Sequence, residues 1–518
     1  MAGSGCDVTH VRAVMRSLQS VFPEARQRRA AFRLGDPRFG KKGLPMPANA
    51  SQRSTSAQGG VDTRPNQGHS HAPKGLGARH IHFIALGSAI GTGLFYGSAD
   101  AIQAAGPSVL LVYLLGGAVV YFLLRALGEM AIYAPLSGSF AEYARRYLGD
   151  WSGYITGWMY AFEMVIVCLA DLTAIGIYMR FWFPGVAQWV WVAVTLLVVG
   201  AANLASARWF GELEFGFTIV KVTAVVAMLI GGAAILAFGM GHQESGVSNL
   251  WNDGGFFPHG PSGMISAFIL VLFAFGGTEI IGVAGAEAED PEKSVRKAIN
   301  TVPIRILLFY VGAILVILTL NPWRTITGEE SPFVQIFSTL GVNWAAALLN
   351  FVVITAALSA INSDLFGAGR VIAGMARTNL APARFSHTKR GVPVVTVGAL
   401  LLVMVVGVAL NAILPEKIFA VIAALATFAT IYVWLMILLS HLAFRRALSS
   451  EERRELKFPV PFRPVGQYFA IAFIAFTFGI MVWLPEYHSA LGVGVGFIAV
   501  MTVVYFLTVA RNRKADQR

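Results

Sequence analysis

Residues 87–95 read GSAIGTGLF. They lie within an apolar run, Ile81 to Ala105, that is long enough to cross a bilayer, which takes about 20 residues as a helix. Glycine in a helix interior costs about 1 kcal/mol relative to alanine. Gly87, Gly91 and Gly93, with Ser88 and Thr92 between them, therefore weaken the helix at the depth where lipid most demands an intact one. The stretch predicts a spanning helix broken at its middle.

A second run repeats the anomaly. Residues 273–280 read FAFGGTEI, with Gly276 and Gly277 at mid-depth beside Thr278 and Glu279. The two interrupted runs are the first and sixth apolar spans, so they cross in opposite directions. Paired interruptions in two inverted halves are the sequence pointer to a transporter binding site. Unwound backbone at membrane depth is tolerated only where it lines a cavity or is buried in protein. Freed N–H groups and half-helix N-termini there hold a carboxylate, and freed carbonyls hold an ammonium. Together those describe the head of an amino acid. The candidate substrate-binding residues are Ser88, Ile90, Gly91, Thr92 and Gly93 in the first span. In the sixth they are Phe273, Phe275, Gly276, Gly277 and Thr278, with Phe273 as a lid. The competing reading is that the glycines only let helices pack closely.

Composition agrees with a membrane protein. The chain has 518 residues, 56% hydrophobic and 13% charged, where a soluble domain carries roughly a quarter charged. Its mean hydropathy is +0.62. The net charge of +12 does not indicate nucleic acid, because Lys and Arg fall in the N-terminal tail and in alternate loops. The two cysteines make no disulfide framework, and no Cys/His spacing suits a metal. No cofactor is expected. No nucleophile–base pair or phosphate loop points to an enzyme.

Residues 1–73 are Arg-rich and rich in Gly, Pro, Ser and Gln, and are expected to be a disordered tail. They hold no apolar run of signal-peptide length. From Ile81 onward the expected spans are 81–105, 107–134, 151–179, 187–205, 212–239, 262–287, 302–321, 342–370, 393–413, 417–443, 467–485 and 488–510. That is an all-α integral membrane protein of about twelve transmembrane helices. The connections after even-numbered spans hold Arg145, Arg146, Arg208, Lys293, Arg296, Lys297, Arg377, Arg384, Lys389, Arg390, Arg445 and Arg446, together with the basic end of 1–73 and the 447–466 segment. The other side holds Arg180, Arg324 and Lys417. The positive-inside rule therefore puts both termini in the cytoplasm.

Ionisable residues at bilayer depth are functional hypotheses by default. Glu279 follows the second break and is a candidate carrier of a coupling proton. Glu163 and Asp171 are eight residues apart on span 3. Glu163 suits a substrate with a second donor, such as an imidazole, or a proton, or a neighbouring helix. Asp171 is expected to be structural. Lys221 lies about two turns into span 5, too deep for easy snorkelling. Arg125 and Glu129 are spaced for an i,i+4 ion pair at the inner end of span 2.

Several motifs, in order, carry a family resemblance. GLGARHIHFIALGSAIGTGLFYGSADAIQAAGPSVLL, RALGEMA, PLSGSFAEYA, ITGWMYAFE, FGELEF, FAFGGTEIIGVAGAEAEDPEKS and LSAINSDLFGAGR resemble bacterial amino acid permeases of the amino acid–polyamine–organocation superfamily. The likeness is greatest to proline-specific permeases and to histidine permeases. It runs from about residue 74 to 446 and more weakly to the C-terminus. The resemblance implies a 5+5 inverted-repeat core over 74–446, formed by helices 1–10. Residues 447–518 would then add helices 11 and 12 and a short tail. It further implies proton-driven uptake of proline or histidine across the cytoplasmic membrane. It also implies that Lys221 stands where sodium binds in sodium-coupled relatives, which makes Lys221, beside Glu279, a candidate for proton coupling. An exchanger, or a nutrient-sensing receptor using the same pocket, is the alternative.

Overall fold

The computed structural model describes Gly87 and residues 90–511, apart from 137, 206, 240–244, 286–289, 329–330, 340–342 and 414–417. Every regular element among these residues is a helix. Apolar runs of this length leave no alternative in lipid, because each backbone N–H and C=O must be satisfied within its own segment.

The expected spans appear in order. Span 1 is Thr92–Phe95 and Gly97–Ala105, span 2 is Val109–Tyr133, span 3 is Asp150–Met179, span 4 is Gln188–Ala205 and span 5 is Ala207–Ala237. Span 6 is Gly260–Phe275 and Ile280–Gly285. Span 7 runs from Val302–Arg305 through Ile306–Gly312, a wider π-type turn, into Ala313–Leu320. Span 8 is Asn343–Arg377, span 9 Val394–Ile413, span 10 Ile418–Ala447, span 11 Val465–Trp483 and span 12 His488–Leu507. Nine helical stretches among the described residues are long and apolar enough to cross a membrane, and Gln188–Leu204 and Val394–Ala409 are shorter apolar helices. One stretch, Gly97–Tyr133, has 37 residues. At 1.5 Å per residue it would reach about 55 Å, nearly twice the hydrocarbon thickness. It is in fact two elements, because Gly106 takes φ 59 and turns the chain between spans 1 and 2.

Both predicted breaks are present. Ile90 and Gly91 leave the helix, and Gly91 is extended where Thr92–Phe95 begins. In span 6, Gly276 is extended and Gly277 takes φ 82 before Ile280–Gly285 resumes. Only a residue without Cβ adopts that left-handed turn at no cost. The two broken spans touch backbone to backbone. A Cβ on Gly93 would sit 2.5 Å from Ala274 Cα, whereas one on Gly91 would meet nothing closer than Ala360 Cβ at 3.7 Å. The packing reading of the glycines is thus correct for Gly93, and Gly91 has room.

The ion pair expected between Arg125 and Glu129 is not made. Glu129 pairs instead with Arg445 and accepts from Val460 N–H at 2.7 Å. Arg125 donates to Asn300 Oδ1 at 3.0 Å and Pro459 O at 2.6 Å, and lies 3.7 Å from the centroid of the Phe458 ring. The segment 458–460 runs across the end of span 2 and offers both residues better-placed partners than the helix does.

Gly93→Ala must push span 6 away, and overpacking of this kind costs about 1–3 kcal/mol. Gly91→Ala should leave stability unchanged. Thermal unfolding in detergent distinguishes them; equal midpoints for the two variants would show that spans 1 and 6 do not meet at Gly93.

Candidate functional site

A broken helix leaves carbonyls without their i+4 donors. At the first break the missing donor comes from span 5. Lys221 is fully buried, and its Nζ donates to Gly87 O at 2.5 Å and Ile90 O at 3.1 Å. Its third donation goes to Ser359 Oγ of span 8 at 2.8 Å. An ammonium carries three N–H groups, so every donor of Lys221 is used. A cation therefore binds spans 1, 5 and 8 together at the break.

Glu214 lies seven residues before Lys221, on the same face of span 5. It accepts from Ser359 Oγ at 2.6 Å, Asn362 Nδ2 at 3.4 Å and Thr218 Oγ1 at 3.4 Å. Gly87 closes over this group, since a Cβ there would fall 2.3 Å from Thr218 Oγ1 and 2.4 Å from Glu214 Oε1. On the far side of the break, Thr92 Oγ1 donates to Asp171 Oδ1. Asp171 is buried at the break, and its Oδ2 has no hydrogen-bond partner.

Two carboxyl groups lie at the second break. Span 10 supplies both donors from one face, four residues apart. Thr430 Oγ1 donates to Glu163 Oε1 at 2.6 Å, and Trp434 Nε1 donates to Glu279 Oε2 at 3.1 Å. Glu163 and Glu279 are fully buried and near enough to interact electrostatically. Each keeps one buried oxygen with no hydrogen-bond partner, Glu163 Oε2 and Glu279 Oε1, and the Thr278 hydroxyl is in the same condition. Gly276 faces Thr430, whose Oγ1 would stand 3.3 Å from a Cβ there. Between the two breaks, Asp364 of span 8 is buried within electrostatic reach of Asp171, Glu279, Glu214 and Lys221.

The structure thus gathers Ile90, Gly91, Thr92, Gly93, Lys221, Glu163, Gly276, Gly277, Thr278 and Glu279 around the two breaks. Phe273 is buried against Gly97 of span 1. Phe275 turns the other way and packs with Tyr113 and Tyr310, at ring separations of 6.0 and 4.6 Å. Ser88 lies outside the described residues. Sequence reasoning missed Glu214, Asp364, Ser359, Thr430 and Trp434. For Glu214 the signal was available: Glu214, Thr218 and Lys221 follow the i, i+4, i+7 spacing of one helix face.

Comparison with known proteins gives the family of the chain. A family model described as amino acid permease matches residues 80–516. The chain is 44% identical over 436 residues to the uncharacterized amino acid permease YtnA of Bacillus subtilis (strain 168), covering 84% of this chain and 94% of the relative. It is 45% identical over 413 residues to the aromatic amino acid transport protein AroP of Escherichia coli (strain K12), covering 80% and 90%. It is 42% identical over 437 residues to the probable threonine/serine transporter YbxG of Bacillus subtilis (strain 168), covering 84% and 94%. These names mention neither proline nor histidine.

Lys221→Met should lower the unfolding midpoint strongly, because removing one partner of a buried charge group costs about 3–5 kcal/mol. Adding Glu214→Gln should recover part of the loss, with a coupling of about 0.5–3 kcal/mol, the range for residues that share one network. Strictly additive effects in the double-mutant cycle would disconnect Glu214 from Lys221.

Proposed function

Because the chain belongs to the amino acid permease family, we propose that it is a proton-coupled importer of an amino acid with a ring-bearing side chain. That the chain is a multi-pass membrane transporter of amino acids follows from the family. Proton coupling, the direction of transport and the substrate are the proposal, as is a cytoplasmic membrane orientation with both termini inside. The charge asymmetry of the loops supports the orientation.

The observation that carries the reading is the Lys221 ammonium on the carbonyls of Gly87 and Ile90. It puts a positive charge beside the broken segment of span 1, which repels a sodium ion from that position. The substrate's carboxylate would take N–H groups at the start of Thr92–Phe95, close to that charge. Its ammonium would take the carboxyl-rich side of span 6. Glu279, with one oxygen on Trp434 and the other unpaired, is the candidate proton carrier facing the substrate.

For the side chain, Glu163 supports histidine. Thr430 occupies Oε1 and leaves Oε2 unpaired, ready to accept from an imidazole N–H. The relative named as an aromatic amino acid transporter supports a ring as well, so phenylalanine, tyrosine and tryptophan stand second. Proline, suggested by the motifs, stands third, and threonine or serine, named for another relative, fourth.

Uptake into liposomes should follow an inward proton gradient and be indifferent to replacing sodium with choline. Loss of uptake without sodium, at fixed pH, would remove the role given to Lys221. Competition among labelled histidine, phenylalanine, proline and threonine then orders the substrates. Glu163→Gln should weaken histidine binding by about 1–3 kcal/mol, the range for a hydrogen bond to a charged group. That is roughly 5- to 150-fold in affinity, with far less effect on phenylalanine or proline. An equal loss for all three would move Glu163 from substrate recognition to proton handling.

A further inference from the structure

Proton coupling at Lys221 needs a group that can receive its proton. The hydrogen bonds around it run in one direction. Lys221 Nζ donates to Ser359 Oγ at 2.8 Å, and Ser359 Oγ donates to Glu214 Oε1 at 2.6 Å. Every hydrogen in this two-bond chain already points from the ammonium towards the carboxylate. Asn362 holds the other oxygen, Glu214 Oε2, at 3.4 Å, and Asn203 of span 4 holds Asn362 Oδ1 at 3.0 Å. The acceptor is thus fixed from two sides. Lys221, Ser359 and Glu214 are all fully buried, which leaves the hydroxyl as the path between the two charges.

We propose that Glu214 is the proton acceptor for Lys221, with Ser359 as the relay, so that a proton leaves the first break along span 5. The step rests on the proton-coupled reading of the protein. An N–H bond of the Lys221 ammonium breaks as the proton joins Ser359 Oγ, and the hydroxyl's own proton passes to Glu214 Oε1. Ser359 ends as a hydroxyl, Lys221 as a neutral amine and Glu214 as a neutral acid; one positive and one negative charge are lost together. Glu214 lies seven residues from Lys221, about 10 Å along the helix, on the inner side in the proposed orientation. The charged and titratable groups facing Lys221 are Glu214 on its own helix, Asp171 of span 3 and Asp364 of span 8.

The transfer has a mechanical consequence. A neutral amine keeps two N–H donors, whereas three acceptors surround Lys221: Gly87 O, Ile90 O and Ser359 Oγ. After the proton leaves, the amine can also accept the hydrogen of Ser359. The two remaining N–H groups stay on Gly87 O and Ile90 O, but as neutral donors, whose hydrogen bonds are weaker than those of an ammonium. Proton transfer is thereby linked to the hold on the broken segment.

The test uses the full-length protein in liposomes, loaded and assayed with a mixture of labelled histidine, phenylalanine and proline. Two activities are compared: accumulation driven by a proton gradient, and counterflow exchange, which needs no net proton release. Glu214→Gln and Ser359→Ala should each lower gradient-driven accumulation at least tenfold more than they lower counterflow. Ser359→Thr, which restores a hydroxyl, should recover accumulation. Accumulation that survives in both Glu214→Gln and Ser359→Ala, in a protein whose wild type is proton-driven, would overturn the relay and leave the coupling reading standing. Equal loss of both activities in these variants, without rescue by threonine, would return the residues to a structural role and overturn the relay too. A wild type that ignores the proton gradient would overturn the coupling reading itself, and the relay with it.

Discussion

The ammonium of Lys221 on the carbonyls of Gly87 and Ile90 is the interaction on which the rest of the core depends. A helix interrupted in hydrocarbon leaves backbone acceptors that cost about 1–3 kcal/mol each when unmet. Water cannot satisfy them there, so a side chain must. A lysine brings three donors but also a charge that is expensive to bury. That charge explains the company it keeps: Glu214 on the same helix face, Asp171 across the break and Asp364 from span 8. It also explains Gly87, because a larger residue would displace Thr218 and Glu214 from the cluster. The break, the buried lysine and the buried acids are one electrostatic arrangement.

The second break is solved differently. Gly277 makes the turn itself by taking φ 82. Donors from span 10, Thr430 and Trp434, each hold one oxygen of a carboxyl group and leave the other unpaired. The first break is therefore bridged by an ammonium, and the second is flanked by carboxyl groups with oxygens to spare. In the proposed reading a zwitterion lying between them would meet complementary ends, and a proton would have oxygens available beside span 6.

Much of this was legible in the sequence, for a physical reason. Glycine pairs inside apolar runs, and ionisable residues at bilayer depth, are both so costly that their presence demands explanation; GSAIGTGLF, FGGTEI, Lys221, Glu163 and Glu279 stood out on that ground. The span order followed from the length needed to cross hydrocarbon. What could not be read was pairing between distant segments. Arg125 and Glu129 had ideal helical spacing, yet the segment 458–460 and Arg445 supplied other partners. Phe275 sits one residue from the break, yet its ring turns towards Tyr113 and Tyr310. Thr430 and Trp434 are unremarkable in an apolar helix, and nothing local shows that they face carboxyl groups from spans 3 and 6. Glu214 escaped because it falls near the end of a span, where an acid is ordinary until Lys221 is seen two turns further on the same face.

The relatives constrain where selectivity can reside. Proteins named for aromatic amino acids and for threonine or serine match this chain over 90% and 94% of their own lengths at similar identity. The head of an amino acid is common to all these substrates, and backbone atoms of two broken helices are suited to recognise it whatever side chain follows. Discrimination must then fall to the few side chains that reach past the head group. An apolar wall rejects a wrong side chain weakly, whereas a buried polar group left without its partner rejects it strongly. Glu163 is such a group: it is fully buried, one of its oxygens is committed to span 10 and the other is open. In the proposed reading, a substrate that offers a donor to that oxygen would gain a charged hydrogen bond, and one that cannot would leave the oxygen buried and unmet unless a proton neutralises it. A single carboxyl group can in this way join the choice of substrate to the protonation of the site.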